Sequence, residues 1–192
     1  MSTIRHGNKS ALLVVDVQVG VVSETWDAPF VVKKVARAVE RARAASVPVI
    51  WVQHEADDLP RNSPAWQLVP ELTPADTEAR IYKRFESSFE GTNLEENLAS
   101  LSVTHIVLAG AQTNWCIRAT AYAALERGYD LTLLKDAHTT IGIELGNGSR
   151  VDASSIINDL NTTITWIRYP GRKSGTAASE DVDFAVAGGD VT

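Results

Sequence analysis

Residues 105–116 read HIVLAGAQTNWC, and this stretch decides the fold of the chain. Its first part is a short apolar run without alternation, which is typical of a strand buried on both faces of a sheet. The residues that follow, from Ile117 to Arg127, carry apolar side chains at helical spacing and end before Gly128. A buried strand therefore turns through Gly110 into a helix, and the only cysteine, Cys116, lies where that helix starts.

The position of Cys116 predicts an acidic thiol. The first N–H groups of a helix lack partners within the helix and the macrodipole is positive there, so both favour the thiolate. The thiolate is the nucleophilic form of cysteine. The plainer interpretation is a small buried hydrophobic residue, and the rest of the sequence has to decide between the two.

The composition is that of an ordinary globular domain. A chain of 192 residues with 44% hydrophobic and 22% charged residues suits one domain with a substantial core. A net charge of −6 without a dense Lys/Arg cluster argues against a nucleic acid partner. One cysteine excludes an intramolecular disulfide and a Cys-rich zinc site. No apolar run approaches the roughly 20 residues of a membrane span, and the polar start lacks a signal core, so we expect no membrane partner and a cytoplasmic location.

Apolar runs and amphipathic stretches alternate along the rest of the chain. Besides the strand before Cys116, the sequence predicts strands at 11–17, 49–52, 81–83, 130–134 and 163–167, and further helices at 31–45, 93–101 and 151–160. This alternation predicts an α/β, three-layer Rossmann-like fold, with a mostly parallel six-stranded sheet and helices on both faces. Residues 1–170 are predicted to form a single domain, and the Gly/Ala/Ser/Asp-rich residues 171–192 a flexible C-terminal tail.

Three chemically distinct side chains lie at the carboxyl ends of predicted strands, the edge where parallel sheets bind ligands. They are Asp16, Lys83 and Cys116. An aspartate beside a cysteine can take the thiol proton, and a nearby lysine keeps the aspartate ionised and offsets developing negative charge. A turn-forming aspartate and a solvated lysine are the plainer interpretations, but the coincidence of the three predicts an enzyme with a cysteine nucleophile.

The same motifs, in this order, resemble the isochorismatase-like cysteine hydrolase superfamily, which includes nicotinamidases and N-carbamoylsarcosine amidases. The resemblance runs from about Ala11 to about Ile167. The segments that carry it are 13–18 (LVVDVQ), 82–85 (YKRF), 88–94 (SFEGTNL), 110–116 (GAQTNWC), 128–130 (GYD) and 136–137 (DA). It implies the fold already predicted and names Asp16, Lys83 and Cys116 as the catalytic residues.

What the family implies for mechanism extends this prediction. Asp16 deprotonates Cys116, and the thiolate attacks a carbonyl or carbamoyl carbon of a small amide, carbamoyl or ureido compound to give a thioester. The backbone N–H groups of Gln112 and Cys116 form the oxyanion hole, beside a cis peptide bond between Ala111 and Gln112. The resemblance also implies a homodimer or homotetramer.

The region after the second strand departs from the nicotinamidase pattern. Nicotinamidases hold a metal ion there with an Asp-x-His-x-x-His-type cluster, whereas this chain offers His54 with Glu55, Asp57 and Asp58. We expect these to be solvated loop residues and predict no metal. Because the chain also has no Gly-x-Gly-x-x-Gly or P-loop signature, no other cofactor is predicted.

Six further side chains are predicted to contact the substrate because they lie in segments that border the predicted site. They are Gln18, Trp26, Trp66, Phe89, Trp115 and His138. If the three tryptophans line the pocket, it is dry and its substrate is small and flat or apolar. The alternatives are core or subunit contacts for the tryptophans and a surface loop for His138.

Two other functions stay open at this point. A vinyl ether hydrolase of the isochorismatase type needs the acid but no thiol, and its chorismate-like substrate would want Arg84 or Arg118 as a carboxylate partner. A non-enzymatic, redox-sensing thiol protein would use an acidic Cys116 alone, so Lys83 and the oxyanion turn count against it.

Overall fold

Parallel strands form the centre of the computed structural model, which describes residues 2–184. The strands are β1 (Lys9–Val15), β2 (Val49–His54), β3 (Ala79–Lys83), β4 (Val103–Ala111), β5 (Asp130–Thr139), β6 (Ile143–Glu144), β7 (Arg150–Val151) and β8 (Ser174–Ala177). Six of them build one all-parallel sheet in the order β3-β2-β1-β4-β5-β8, while β6 and β7 form a small antiparallel hairpin. The predicted six-stranded α/β architecture is confirmed.

Helices cover both faces of this sheet. They are α1 (Val19–Val22), α2 (Ala28–Ala44), α3 (Leu94–Ser100), α4 (Arg118–Glu126) and α5 (Ala153–Trp166), with a π-helical turn at Thr113–Ile117. The core under α2 lies on one face, and the core under α3, α4 and α5 lies on the other. Within residues 2–184, no helix has the length and hydropathy to cross a bilayer.

The strand β1 shows why its sequence is apolar without alternation. Ala11, Leu13 and Val15 face the core that contains α3, α4 and α5, whereas Leu12 and Val14 face the core under α2. All five are fully buried. A central parallel strand buries both sets of its alternating side chains, so period-two patterning disappears from the sequence.

The predicted strand at 163–167 is wrong, because these residues continue or follow α5. Leu160 and Ile164 are four residues apart and both fully buried, so they share the inner face of the helix. The β-branched pattern Thr-Ile-Thr in this segment favours a strand by propensity alone. Tertiary packing of the apolar helix face outweighs that preference.

The sixth strand is instead β8, inside the segment predicted to be a tail. Two aspartates of β5 fix this segment. The Asp130 carboxylate accepts the N–H of Lys173 at 2.7 Å, and the Asp136 carboxylate accepts the N–H of Ser179 at 2.8 Å. Phe184 lies buried in the core under α2. The tail prediction is therefore wrong for 171–184, and residues 185–192 lie outside the described part of the chain.

Strands β1 and β4 approach each other closely at the edge that carries the candidate site. Val15 pairs with Gly110 in the register of these two strands. Gly110 has a φ of +127°, and a Cβ there would overlap the carbonyl oxygen of Val15. Only glycine combines this backbone conformation with this contact. As a result, Asp16 and the turn Thr113–Ile117 leave the sheet side by side.

Candidate active site

The three predicted catalytic side chains leave the sheet at the same edge. Asp16 follows β1 in a left-handed conformation, with a φ of 53°, and its N–H donates to the carbonyl of Val52 at 2.9 Å. Aspartate is among the few residues that tolerate this conformation. Lys83 is the last residue of β3, and Cys116 lies in the π-helical turn after β4. The structure brings all three together.

Lys83 is the centre of this group. Its Nζ lies 2.7 Å from Asp16 Oδ2, 3.1 Å from Cys116 Sγ, 3.2 Å from the Phe85 carbonyl oxygen and 3.3 Å from His54 Nδ1. Four acceptors therefore surround an ammonium that has three N–H groups to donate. Burial lowers the pKa of Lys83, but the charge of Asp16 and the hydrogen bonds with Asp16 and Cys116 raise it more, so the ammonium is retained.

Asp16 is almost completely buried and incompletely paired. Lys83 neutralises its charge through Oδ2, yet among residues 2–184 neither carboxylate oxygen accepts a hydrogen bond with good geometry. Oδ1 accepts no N–H in that part of the chain, and the Cys116 thiol is the other hydrogen-bond partner of this carboxylate. A buried acceptor without a donor is costly, so its persistence is expected where a ligand or a transferred proton supplies the donor.

The expectation of an acidic Cys116 is wrong. Burial, and after it the negative charge of Asp16, raises the pKa of the thiol to about 12, and Lys83 offsets only part of this rise. The helix argument fails because burial and the carboxylate of Asp16 together outweigh the helix start and the ammonium of Lys83. The resting thiol is neutral, so a base has to take its proton when substrate arrives.

His54 lies in the site, although the sequence predicted a solvated loop residue. It is the last residue of β2 and is half-buried beside Lys83. Burial, and then the positive charge of Lys83, lowers the pKa of His54. The imidazole is therefore neutral at pH 7, and its Nδ1 can accept from the lysine ammonium.

Gln18 positions His54 and does not line the cavity. Its side chain is fully buried, donates to the carbonyl oxygens of His54 (3.0 Å) and Trp66 (2.8 Å), and accepts the N–H of His54 at 2.8 Å. Gln53 also donates to the Trp66 carbonyl, at 3.0 Å. Gln18 thus ties the end of β2 to the loop above it.

A cavity of about 450 Å³ opens above the thiol. Its polar floor is formed by Asp16, His54, Gln112 and Cys116, and its size suits a small molecule. Gly20, Val21, Leu59 and Trp115 supply its apolar wall, and Asp58 and Glu86 complete the lining. Of the six predicted substrate contacts, Trp115 lies in this wall.

The turn that carries the cysteine has the cis peptide bond implied by the family resemblance. The peptide bond between Ala111 and Gln112 is cis. The carbonyl of Gln112 accepts the N–H groups of Trp115 at 3.1 Å and Ile117 at 3.2 Å. The Gln112 side chain donates to the carbonyl of Val21 at 3.3 Å, so the turn is joined to the helix α1 that borders the cavity.

Four predicted substrate contacts lie elsewhere. Trp26 borders a different surface pocket beside the β6–β7 hairpin. Phe89 is buried in the main core against Tyr129. Trp66 is buried with its ring on Tyr82. Phe89 and Trp66 are therefore used for packing, which is the commoner role of aromatic residues.

His138 is the fourth of these and is fully buried behind the turn. Its Nδ1 lies 2.9 Å from Thr113 Oγ1, and its Nε2 lies 3.0 Å from Asn161 Oδ1. Burial lowers the pKa of His138 to about 4. It supports the turn from the protein interior and lies outside the cavity lining.

The cavity-lining residues missed by the sequence prediction come from α1, which supplies Gly20 and Val21, from the long segment after β2 and from the turn after β3. His54, Asp58, Leu59 and Glu86 line the cavity without belonging to any quoted motif. One signal was available, because His54 closely follows a predicted buried strand, that at 49–52, at the same sheet edge as Asp16.

Asp16, His54 and Cys116 also form the group best placed to bind a metal ion in residues 2–184, with ligand atoms within 4.8 Å of one another. The ammonium of Lys83 contacts all three side chains, and its positive charge opposes a cation there. The donor set alone would suit zinc. The lysine makes it a poor metal site.

Comparisons with known proteins agree with this geometry. The profile of the isochorismatase domain family matches residues 10–149. YrdC, an uncharacterised isochorismatase family protein of Bacillus subtilis, is 32% identical over 158 residues, which are 78% of this chain and 84% of YrdC. A streptothricin hydrolase of Streptomyces noursei is 35% identical over 146 residues, or 72% of this chain and 57% of that protein.

Two further matches fit the same group. An N-carbamoylsarcosine amidase of Arthrobacter is 27% identical over 157 residues, 66% of this chain and 58% of the amidase. The crystal structure of a cysteine hydrolase from Pseudomonas syringae superposes with a TM-score of 0.81, at 23% identity, over 91% of this chain and 90% of that one. At that identity the superposition shows a shared fold.

Proposed function

The chain belongs to the isochorismatase family, and on that premise we propose that it hydrolyses a C–N bond of a small amide, carbamoyl or ureido compound through a thioester on Cys116. The observation that carries the proposal is the contact of Lys83 with both Asp16 and Cys116 at the floor of a cavity. Relatives named as a streptothricin hydrolase and an N-carbamoylsarcosine amidase support hydrolysis as the reaction type.

Asp16 acts first as a general base. The proton of Cys116 Sγ moves to the Asp16 carboxylate, and the thiolate attacks the carbonyl carbon of the substrate. Because the resting thiol has a pKa raised to about 12, deprotonation is coupled to this attack and no stable thiolate precedes it. Lys83, 3.1 Å from the sulfur, offsets the negative charge as it develops.

The tetrahedral intermediate carries a negative oxygen that needs donors fixed in advance. We assign this role to the backbone N–H groups of Gln112 and Cys116, which belong to the turn anchored by Thr113 and His138. As the intermediate collapses, the C–N bond breaks and Asp16 returns its proton to the leaving nitrogen. The products of this half-reaction are an amine or ammonia and the thioester of Cys116.

Water completes the cycle. Asp16, ionised again, takes a proton from water, and the hydroxide attacks the thioester carbon. The C–S bond breaks, the acid leaves, and the proton held by Asp16 returns to Cys116 Sγ. The sum is amide plus water giving acid plus amine. The Asp16 carboxylate serves as the base in both half-reactions. Its Oδ1 accepts no N–H in residues 2–184, so this oxygen is free to take the proton.

Two observations favour this reaction over its rivals. An ether hydrolase of the isochorismatase type has no use for a sulfur held at 3.1 Å by a buried lysine. A redox sensor needs an acidic, accessible thiol, whereas the pKa of Cys116 is raised to about 12.

The test is an assay of released ammonia or amine over a panel of amides, carbamates and ureas, with Cys116→Ala and Cys116→Ser as matched variants. We expect turnover by the unmodified protein, trapping of an acyl adduct on Cys116 visible by mass spectrometry, and loss of both in Cys116→Ala. Turnover by Cys116→Ala at the unmodified rate would exclude a thioester route.

A further inference from the structure

Two carboxylates line the mouth of the cavity without compensation. Asp58 and Glu86 are both exposed and both part of the lining. In residues 2–184 neither forms an ion pair or a side-chain hydrogen bond. Both raise the pKa of His54 by their negative charge, so their field reaches the ring at the cavity floor. No lysine or arginine is among the cavity-lining residues.

Two other acidic side chains of the same chain segments are paired. Glu55 lies 3.2 Å from Arg84, and Glu78 lies 2.8 Å from Arg43. Arg84, the arginine nearest to Glu86 in sequence, thus forms its ion pair with Glu55 and not with Glu86. The two carboxylates at the mouth are not neutralised by an ion pair with any described residue, and the low-dielectric walls of a cavity concentrate their negative potential on its contents.

The floor of the cavity adds an independent observation. The ion pair of Asp16 with Lys83 is neutral overall, and His54 is neutral as well. Asp16 lines the cavity, and its buried Oδ1 accepts no N–H in the described part of the chain. An occupant with N–H groups would supply that donor. The charge that remains uncompensated is that of the two carboxylates at the mouth.

Trp115 completes the arrangement. It lines the cavity and is 57% exposed, which is high for a large aromatic side chain. An exposed indole face beside two carboxylates attracts a cation through its quadrupole and repels an anion.

We propose that the substrate of this site is cationic: a small amide, carbamoyl or ureido compound that also carries an ammonium or guanidinium group. The reacting carbonyl lies at Cys116, and the positive group lies toward Asp58, Glu86 and Trp115. The proposal rests on the hydrolase function proposed above and narrows its substrate class. Carboxylate-bearing substrates are disfavoured by the same field.

The charge preference is testable without knowing the substrate, because Cys116 is the only cysteine. Three methanethiosulfonates that differ in charge serve as probes: the trimethylammonioethyl, the methyl and the sulfonatoethyl reagents. In each case Sγ attacks the sulfenyl sulfur, a disulfide forms and methanesulfinate leaves. Rates are divided by those for free mercaptoethanol, so that the ratio of cationic to anionic rates reports the potential at Cys116.

We expect this normalised ratio to be at least about ten at low salt and to fall toward one at high salt, since salt screens exposed charges. Asp58→Asn and Glu86→Gln should each lower it by about threefold or more. The matched controls are Asp57→Asn and Glu90→Gln, exposed neighbours that do not line the cavity, and these should change it less than about twofold. A ratio at or below one, or equal effects of control and test variants, would overturn the proposal.

A matched amide series then separates this proposal from the hydrolase function. We compare kcat/KM for β-alaninamide, propionamide and succinamate, which present a cationic, a neutral and an anionic group beside a primary amide. The cation should be the best of the three, and its advantage should shrink in Asp58→Asn. Hydrolysis with the neutral or anionic amide preferred would overturn the charge proposal alone. A cationic preference of the thiol reagents without hydrolysis of any amide would instead count against the hydrolase function.

Discussion

Two buried polar clusters meet at the turn Thr113–Ile117, and they differ in how completely their hydrogen bonds are satisfied. In the interior cluster, Asn161 Nδ2 donates to the carbonyl of Lys135 at 3.2 Å, so its Oδ1 is left to accept from His138 Nε2 at 3.0 Å. His138 Nδ1 then accepts the hydroxyl of Thr113 at 2.9 Å. Both ring nitrogens have a partner in a single tautomer.

The cavity cluster, formed by Asp16, His54, Lys83 and Cys116, has no such unique solution. Lys83 has more acceptors than N–H groups, and Asp16 Oδ1 accepts no N–H in the described residues. A cluster in which every hydrogen bond is satisfied, like the interior one, supports the structure. A cluster whose donors and acceptors are unbalanced, like the one at the cavity, marks the place where protons move.

The largest expected effect comes from Asp16→Asn, which changes charge and little else because asparagine also tolerates a positive φ. Turnover should fall by about a thousandfold, within the range of a lost general base. Alkylation of Cys116 by iodoacetamide at pH 7 should become faster, since the Asp16 charge raises the pKa of the thiol. Activity and alkylation are measured on one preparation. Slower alkylation together with lost turnover would mean that Asp16 activates the thiol before substrate binds.

Lys83→Met should have the next largest effect, a loss of about a hundredfold in single-turnover thioester formation, because the developing charge loses a cation 3.1 Å from the sulfur. Lys83 is buried in an ion pair, so the variant should also unfold more easily, by about 3 kcal/mol, as Asp16 keeps an unpaired charge. Lys83→Arg should be nearly as poor, since a planar fork does not replace a compact ammonium. Thermal unfolding is the control, and acylation at the unmodified rate would leave an Asp–Cys pair as the mechanism.

A smaller effect is expected at His54, which we predict to be a positioning residue for Lys83. His54→Gln should lower kcat/KM about tenfold, the value of one hydrogen bond to a charged group, because Nδ1 is the acceptor that is lost. His54→Asn places an amide oxygen near the position of Nδ1 and should restore most of the activity. The pH profiles of both variants are the measurement. Equal activity of the two would assign His54 a packing role only.

The interior cluster is tested by acid stability, where the expected effect is smallest. The pKa of His138 is lowered to about 4 in the folded protein, so the unfolded chain binds more protons between about pH 4 and 6.5. Stability is therefore lost as pH falls through that window, by about 1 kcal/mol between pH 7 and 5.5. Urea unfolding at several pH values measures it. His138→Gln should remove this pH dependence, and an unchanged dependence in that variant would place its origin in another group.

The comparison also shows what the sequence was able to predict. Asp16, Lys83 and Cys116 were found because each ends or follows a buried strand, and parallel strands bring their carboxyl ends to one edge. The environments predicted for the two histidines are the reverse of those in the structure. His54 was expected in solvent and lies in the cavity, and His138 was expected near the substrate and lies in the interior. Both follow or end strands, so local pattern does not separate them; only the neighbours supplied by distant segments do.

The remaining errors have the same origin. The strand β8 has the sequence Ser-Gly-Thr-Ala, which has weak strand propensity, and its position depends on Asp130 and Asp136, each 43 residues before the N–H that it accepts. The pKa of Cys116 was predicted from the helix start alone, whereas burial and Asp16 decide it. Long-range packing and charge are fixed by the assembled fold, and a window of local sequence does not contain them.

The contact of Gly110 with Val15 has a mechanical consequence. At that point β1 and β4 touch backbone to backbone, so the spacing between the residues that leave them is set without any side chain in between. Substitutions that weaken the packing of the helices on either face should therefore lower the melting temperature. The relative positions of Asp16 and Cys116 should change only with much larger losses of stability. Asp16 after β1 and Cys116 after β4 should therefore keep their relative positions until the sheet itself unfolds.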